Sequence, residues 1–202
     1  MQLIGGLGSP YVRKVRVALA ELGMTDQVEL VPSGGQPGTL NQETSGNNPV
    51  GKIPALIMPD GEPLFDSRMI LRFLNDKAGG SLFPAGDWAM VRRESTAEGM
   101  LDAGLLLRFE TFARPEEFRW QGWIDGQSQK VNQCLDSLEK DAALLEQVDA
   151  ASVTAGCGLG YLDFRFPDWG WREGRGALAA WYEAFSQRPS MAATGPTAPP
   201  PA

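Results

Sequence analysis

Apolar residues in the first third of the chain follow a strand-like period and then a helical one. Short apolar runs at 1–4 and 28–31 predict two strands, and the helical pattern between them ends at Gly23, a residue suited to a helix C-terminus. The apolar positions of this helix are Val12, Val15, Leu19 and Leu22. Two strands joined through a helix pair in parallel, so a βαβ unit is predicted. Residues 33–48, rich in Gly, Ser, Asn and Pro, predict a surface loop with a turn of helix near 40–44.

A strand–turn–strand–helix succession follows. Strands are predicted at 55–58 and 63–65, and the Asp60-Gly61 turn signal between them indicates a hairpin. Ser67 then precedes a helical pattern as its predicted N-cap, and Gly79 ends that helix. Its apolar positions are Met69, Ile70, Phe73 and Leu74. The two successions together predict a βαβ-ββα domain with a four-stranded mixed sheet.

The rest of the chain carries only helical patterns. Helices are predicted at 87–112, 118–148, 149–161 and 172–187. The third is apolar almost all round, which is typical of a central, buried helix. The Pro-, Ala- and Thr-rich residues 188–202 predict an extended surface tail. We therefore expect an α+β domain at 1–79, a linker at 80–86 and an all-α domain at 87–202.

Composition excludes several kinds of chemistry. The chain has no histidine, which removes Ser-His-Asp and Cys-His catalysis and every histidine-bearing metal site. Cys134 and Cys157 form no CxxC pair, so we interpret both as small buried hydrophobes and expect no metal. The net charge of −7 disfavours nucleic-acid binding. No apolar run approaches the ~20 residues that span a bilayer, and no signal-peptide pattern opens the sequence, so we expect no membrane partner and a cytoplasmic protein.

Ser9 occupies a position where structure and chemistry overlap. It precedes Pro10 at the start of the first helix, where Ser is a preferred N-cap and Pro a preferred first residue. A hydroxyl at the positive end of a helix also suits an anion such as a carboxylate or thiolate. From this segment alone, a purely capping role for Ser9 is the simpler interpretation.

Three separated motifs change that interpretation. They are Ser9-Pro10-Tyr11-Val12-Arg13-Lys14-Val15-Arg16, Asn48-Pro49-Val50-Gly51-Lys52-Ile53-Pro54-Ala55-Leu56 and Phe65-Asp66-Ser67-Arg68-Met69-Ile70. In this order and spacing they resemble the N-terminal, thioredoxin-like domain of cytosolic glutathione transferases. The helical second part also resembles that family, so the resemblance covers almost the whole chain.

The resemblance implies a glutathione site. Ser9 would donate a hydrogen bond to the glutathione sulfur, with no base present to make it a nucleophile itself. Ile53 would precede a cis Pro54, and its backbone would pair with the cysteinyl backbone of glutathione. Ser67 would receive the γ-glutamyl carboxylate at a helix N-terminus, and Asp66 the γ-glutamyl ammonium. Without the resemblance, Asp66 and Ser67 would be interpreted as a capping pair only.

Further contacts are implied with less support from the residues. Lys52 would meet the glycine carboxylate of glutathione, although a solvated loop lysine is nearly as good an interpretation. The second substrate would lie between the domains, against the residues Tyr11, Arg108, Phe109 and Phe112; such an aromatic stripe also fits an ordinary core. A homodimer is expected from the family, and Asp102 would then reach a glutathione bound across the interface.

The implied activity is attack by a bound glutathione thiolate on a small hydrophobic electrophile. The sequence leaves open a glutathione-dependent lyase, dehalogenase or isomerase, and a glutathione-binding scaffold or stress protein with little catalysis. Ser rather than Cys at position 9 argues against glutaredoxin-like thiol exchange. The family commonly opens the central helix of its second domain with Ser/Thr-x-x-Asp, whereas no acid follows Ser152, so a weakened start of that helix is expected.

Overall fold

A four-stranded mixed sheet organises the first part of the molecule. The computed structural model describes residues 1–34 and 41–197. Its strands are β1 (Gln2–Gly5), β2 (Glu29–Pro32), β3 (Ala55–Ile57) and β4 (Pro63–Leu64), in the order β2-β1-β3-β4. β1 is parallel to β2 and antiparallel to β3, and β4 is antiparallel to β3. The predicted βαβ-ββα succession and mixed sheet are confirmed.

Two helices of this part pack against each other beside the sheet. They are α1 (Pro10–Glu21) and α3 (Ser67–Ala78), and a short α2 (Gln42–Asn47) precedes β3. Val12, Val15 and Leu19 of the predicted α1 stripe are buried, whereas Leu22 is the half-buried C-cap. In α3, Met69 is 45% exposed and Leu71 takes its place in the core. The helical turn predicted near 40–44 begins at Gln42, and residue 40 lies outside the described residues.

The start of α3 differs from the prediction. Its N-cap is Asp66, whose side chain accepts from the backbone N–H of Arg68, while Ser67 is the first helical residue. Both residues are good caps, and the carboxylate one position earlier reaches the free N–H first. The predicted N-cap at Ser67 was therefore wrong by one residue.

The second part contains four long helices. They are α4 (Trp88–Arg108), α5 (Gln121–Lys140), α6 (Ala150–Arg165) and α7 (Gly176–Ser186). α6 is buried along Ala150–Leu162, which confirms the predicted central helix. The single helix predicted at 118–148 was too long, because α5 ends at Lys140 and a separate short 3₁₀ helix, Ala142–Leu145, follows it.

A turn of π-helix, Phe109–Ala113, extends α4. Its Glu110 is only 6% exposed. The carboxylate of Glu110 accepts from the backbone N–H of Trp120 at 2.9 Å and from Nε of Arg114 at 2.8 Å. Glu110 thereby joins the end of α4 to the segment that leads into α5.

The start of α6 corrects a second expectation. Asp149 is its N-cap: Oδ1 accepts from the N–H of Ser152 at 2.8 Å, and the Ser152 hydroxyl oxygen accepts from the N–H of Asp149 at 2.9 Å. This is a capping box with the acid first and the hydroxyl third, the reverse of the family pattern. The expected weakness was wrong, because the acid precedes Ser152 instead of following it.

The C-terminal segment belongs with the first part. The chain divides into two compact units, Pro84–Arg188 and a unit that joins Met1–Phe83 to the segment beginning at Pro189. A short α8 (Pro189–Ala192) follows α7, and Met191 is 1% exposed. The carbonyl of Met191 accepts from Arg13 of α1 at 3.1 Å. The tail was predicted to lie extended over the surface as part of the helical domain; for residues 189–192 this was wrong, because they form a helix that belongs to the first unit and buries Met191.

No helix among the described residues is long and apolar enough to cross a membrane.

Candidate functional site

Three chain segments of the first unit meet at one edge of the sheet. β1 ends there, β3 begins there, and β4, antiparallel to β3, ends there. A side chain added at Gly6, just after β1, would lie 3.9 Å from Cδ1 of Ile53, which precedes β3. The loop into α1, the loop into β3 and the start of α3 are therefore neighbours, and they are the three segments singled out in the sequence.

Ser9 caps α1 and keeps a donor. Its N–H donates to the carbonyl of Gly6 at 3.0 Å, and its Oγ accepts from the N–H of Val12 at 3.3 Å. The predicted N-cap is confirmed. A hydroxyl oxygen that accepts one bond still carries a proton that it can donate, and Ser9 is only half-buried. Capping and ligand contact are thus compatible at this residue.

The loop before β3 is fixed by a residue that sequence reasoning passed over. The side chain of Asn48 is almost fully buried; it donates to the carbonyl of Lys52 at 2.8 Å and accepts from the N–H of Val50 at 2.9 Å. Gly51 completes the turn with φ of 67°. An Asn two or three residues before a Gly in a Pro-containing loop is a turn signal, and it was available in the sequence.

Ile53 and Pro54 lie at the end of this loop. The Ile53–Pro54 peptide bond is cis, which confirms the geometry that the family resemblance implied. Pro54 is buried, Ile53 is half-buried and Lys52 is exposed.

Asp66 and Ser67 form the third segment. The carboxylate of Asp66 caps α3 and pairs with the guanidinium of Arg68 at 2.9 Å, where both side chains are about half exposed. Burial raises the pKa of Asp66, but hydrogen bonds from Arg68 and the charges of Arg68 and Lys14 outweigh it and leave the pKa below its ordinary value. Asp66 is therefore an anion at neutral pH. Ser67 is 4% exposed.

Lys14 is the second residue that sequence reasoning missed. It is fully buried in α1, and its charge acts on Asp66. The sequence showed Lys14 only as a basic residue off the apolar stripe, and such residues are usually solvated. A positive charge held inside this unit, close to the start of α3, favours anions at that edge.

The residues predicted to meet a second substrate are divided between the units. Arg108, Phe109 and Phe112 lie at the end of α4 and in its π turn, and Cζ of Arg108 is 3.4 Å from the ring centroid of Phe112. Asp102 lies exposed on α4. Tyr11 is half-buried in α1 of the first unit. Arg108 and Phe112 are thus neighbours within one turn, and their role toward a second substrate stays a prediction.

Among the described residues, no cluster of three His, Cys, Asp or Glu side chains could hold a metal ion. The site offers a hydroxyl at the start of α1, a carboxylate and a buried hydroxyl at the start of α3, and the backbone of the loop before β3 between them.

Comparison with known proteins identifies the class that this fold and site define. The model of the glutathione S-transferase N-terminal domain matches residues 8–77, and that of the C-terminal domain matches residues 121–184. The uncharacterized GST-like protein YibF of Escherichia coli K12 is 32% identical over 205 residues, covering 97% of this chain and 98% of YibF. The chain belongs to the glutathione transferase family.

Solved relatives carry glutathione. A glutathione transferase family member from Pseudomonas fluorescens Pf-5 with bound glutathione is 42% identical and superposes with a TM-score of 0.94, covering 98% of this chain and 99% of that one. A second structure from the same strain, with bound S-(propanoic acid)-glutathione, is also 42% identical, with a TM-score of 0.89 over 98% of this chain and 100% of that one.

Proposed function

We propose that this protein is a glutathione transferase that conjugates the glutathione thiolate to small hydrophobic electrophiles. The observation that carries the proposal is Ser9: a half-buried hydroxyl at the N-terminus of α1 that accepts from Val12 and keeps its own proton to donate. The family relatives with bound glutathione support glutathione as the co-substrate.

The energy required of the site is modest. A free thiol has a pKa of about 8.5, so lowering it by about two units takes roughly 3 kcal/mol of preference for the thiolate. A hydrogen bond to a charged group contributes about 1.5–3 kcal/mol, and a helix N-terminus adds about 0.3–1 kcal/mol or somewhat more when buried. These two contributions together amount to about 2–4 kcal/mol, a range that includes the preference the proposed activation requires.

We assign the remaining groups of glutathione to the other two segments. The anionic Asp66 would pair with the γ-glutamyl ammonium, while Ser67 and the free N–H groups of α3 would receive the γ-glutamyl carboxylate. The Ile53 backbone would pair with the cysteinyl residue. The exposed ammonium of Lys52 would meet the glycine carboxylate.

The ligand of one relative supports conjugation as the reaction. S-(propanoic acid)-glutathione, bound by the Pseudomonas fluorescens protein, carries a carbon substituent on sulfur, as a conjugation product does. In this chain the exposed rings of Phe109 and Phe112 supply the apolar surface that we assign to the electrophile. We further propose a homodimer, with Asp102 of each copy directed to its partner's glutathione.

The first experiment is titration calorimetry with glutathione, followed by turnover of a panel of aryl halides, enones and isothiocyanates. Binding and turnover together are expected. Binding without turnover would show a glutathione-binding protein, and absence of binding at millimolar glutathione would show a retained fold without its site.

Ser9 itself is tested by comparing Ser9→Gly with Ser9→Thr. Glycine removes the hydroxyl and costs the helix only a few tenths of a kcal/mol as a cap, whereas threonine keeps both functions. Ser9→Gly should raise the pKa of bound glutathione, followed by thiolate absorbance, by about one to two units and lower turnover accordingly. An unchanged thiol pKa in Ser9→Gly would refute the role of Ser9.

A further inference from the structure

Two arginines and a tyrosine form a cluster where α4 packs against α6. Arg108 is the last residue of α4, and Tyr161 and Arg165 lie one turn apart near the end of α6. Gly104 lies one turn before Arg108, and a Cβ placed there would be 3.9 Å from the ring of Tyr161. The tyrosine ring therefore lies against the last turns of α4, and we call these three residues the arginine–tyrosine cluster.

The arginine–tyrosine cluster is positively charged. The guanidinium of Arg165 is hydrogen-bonded to Tyr161, which is 3% exposed. Burial, and then the like charge of Arg165, lower the pKa of Arg108. Nε of Arg165 is buried without a hydrogen-bond partner among the described residues. Two like charges held close together in a partly buried setting destabilise each other unless an anion is shared between them.

Five other arginines of this unit differ from the cluster. Each of the following has a carboxylate within 4.0 Å: Arg92, Arg93, Arg114, Arg172 and Arg175. In the part of the chain that the structure describes, neither Arg108 nor Arg165 has such a partner. Their contacts are aromatic instead: Arg108 lies over Phe112 at 3.4 Å and Arg165 over Phe164 at 4.1 Å. Aromatic faces attract a cation without neutralising it.

The surroundings indicate the kind of anion. The ring of Phe112 is 68% exposed and the π turn holds it four residues after Arg108. A ligand on the cluster would meet planar guanidinium groups, which match a carboxylate, and an apolar ring beside them. We infer that Arg108, Tyr161 and Arg165 bind the carboxylate of a small organic acid whose apolar part packs on Phe112.

This inference deepens the proposed function, because Arg108 and Phe112 are among the residues assigned to the second substrate. It rests on that function in one respect: the electrophiles that the protein accepts would include carboxylated ones. The anion site can be measured without glutathione, so that failure of either proposal is visible separately.

The test is titration calorimetry on the full chain with benzoate, benzamide and inorganic phosphate. Benzoate should bind saturably and at least about tenfold more tightly than benzamide, the difference expected for a charge-assisted hydrogen bond. Equal binding of the two would overturn the inference on the unmodified protein. Phosphate that binds more tightly than benzoate and competes with it would overturn the carboxylate assignment.

The matched variants are Arg165→Gln and Arg108→Gln, with Arg92→Gln as a control that removes one positive charge from the same unit. Arg92 is 69% exposed and lies in a surface pair with Asp141. The two cluster variants should weaken benzoate binding about tenfold or more, and the control by less than about twofold. Equal weakening by all three would show attraction by net charge alone and refute a site. Arg165→Lys, which keeps the charge, covers the case in which glutamine prevents folding.

Discussion

The capping box of α6 gives the sharpest test of the structure, because it separates a hydrogen-bond acceptor from a charge. Asp149 is 1% exposed and Ser152 is fully buried, so the polar groups of each residue depend on the other for their hydrogen bonds. Oδ1 of Asp149 holds the N–H of Ser152, while Oδ2 lies 3.9 Å from a guanidinium nitrogen of Arg93. The question is which of these two interactions accounts for the stability that Asp149 contributes.

The free energies of the two interactions indicate that Asp149 stabilises α6 mainly as a hydrogen-bond acceptor. A charge pair at this distance gains roughly 4 kcal/mol at an effective dielectric constant of about 20, but withdrawing each ion from water costs several kcal/mol. Burial raises the pKa of Asp149, and the hydrogen bonds of its cap and the charge of Arg93 only partly oppose that rise. The folded protein therefore binds the proton of Asp149 more tightly than the unfolded chain does, so ionising this carboxylate is a net cost.

Two substitutions distinguish the contributions. Asp149→Ala removes the acceptor and leaves a buried N–H unpaired, so it should lower the free energy of unfolding by about 2 kcal/mol. Asp149→Asn removes the same charge but keeps an oxygen for that N–H, and because Arg93 lies 3.9 Å away, beyond hydrogen-bond distance, the loss should be clearly smaller than for alanine. Urea unfolding followed by far-UV circular dichroism at pH 7 measures both. If asparagine destabilises as much as alanine does, the charge on Asp149 matters more than its cap, and this reasoning is refuted.

The same variants predict a sign for the pH dependence. Because the pKa of Asp149 is raised on folding, its contribution is most favourable below the unfolded pKa and declines as pH rises through the raised folded pKa. Asp149→Asn cannot titrate at this position. Wild-type stability minus that of Asp149→Asn should therefore fall as the pH is raised from acid toward neutral, and an increase would contradict the prediction.

Three further predictions address other parts of the fold. Asn48→Ala should weaken glutathione binding several-fold in calorimetry, because the loop before β3 loses both side-chain hydrogen bonds; Asn48→Asp, which keeps only the acceptor, should lie between. The hydrogen bond from the N–H of Trp120 is the largest effect lowering the pKa of Glu110, so the stability that this carboxylate contributes is present above its unfolded pKa and lost as pH falls through the lowered folded pKa. Glu110→Gln should therefore reduce the acid sensitivity of unfolding, and an unchanged sensitivity would count against the assignment. Gly5→Ala should destabilise by about 1–3 kcal/mol in urea unfolding, because a Cβ there would collide with Cγ2 of the buried Val12 in α1, whereas Gly126→Ala, with nothing within 4 Å, should stabilise α5 by up to about 1 kcal/mol.

The sequence predicts the periodic elements well and their junctions poorly, for a physical reason. Strand and helix periods are set by burial along several residues, so β1–β4 and the central α6 follow from them. A helix start depends on a single residue that reaches a free N–H. Where two good caps stand close together, as at Asp66 and Ser67 or at Asp149 and Ser152, local preference does not decide between them.

Burial of charged groups was the harder part to foresee. Lys14 lies inside the first unit, and Arg13 next to it is buried because the C-terminal segment returns to α1 and supplies the carbonyl of Met191. That segment is rich in Pro, Ala and Thr, a composition that predicts an extended tail. The contact joins residues 178 positions apart. No local pattern reports such a pairing, so neither the buried arginine nor α8 could be predicted.

The helix caps also show why a candidate site is recognisable only once exposure is known. Ser9, Asp66 and Asp149 all accept a backbone N–H at a helix N-terminus, and the sequence alone does not show which of them is open to a ligand. Asp149 is closed to solvent, so its hydrogen bonds are all made inside the protein. Ser9 and Asp66 are half-buried or more exposed, lie at one edge of the sheet, and keep a hydroxyl proton and a carboxylate charge within reach of solvent. A cap that remains open in this way can bind a ligand without giving up its role in the fold, and the Ser9→Gly and Asp149→Asn variants test the two halves of that argument separately.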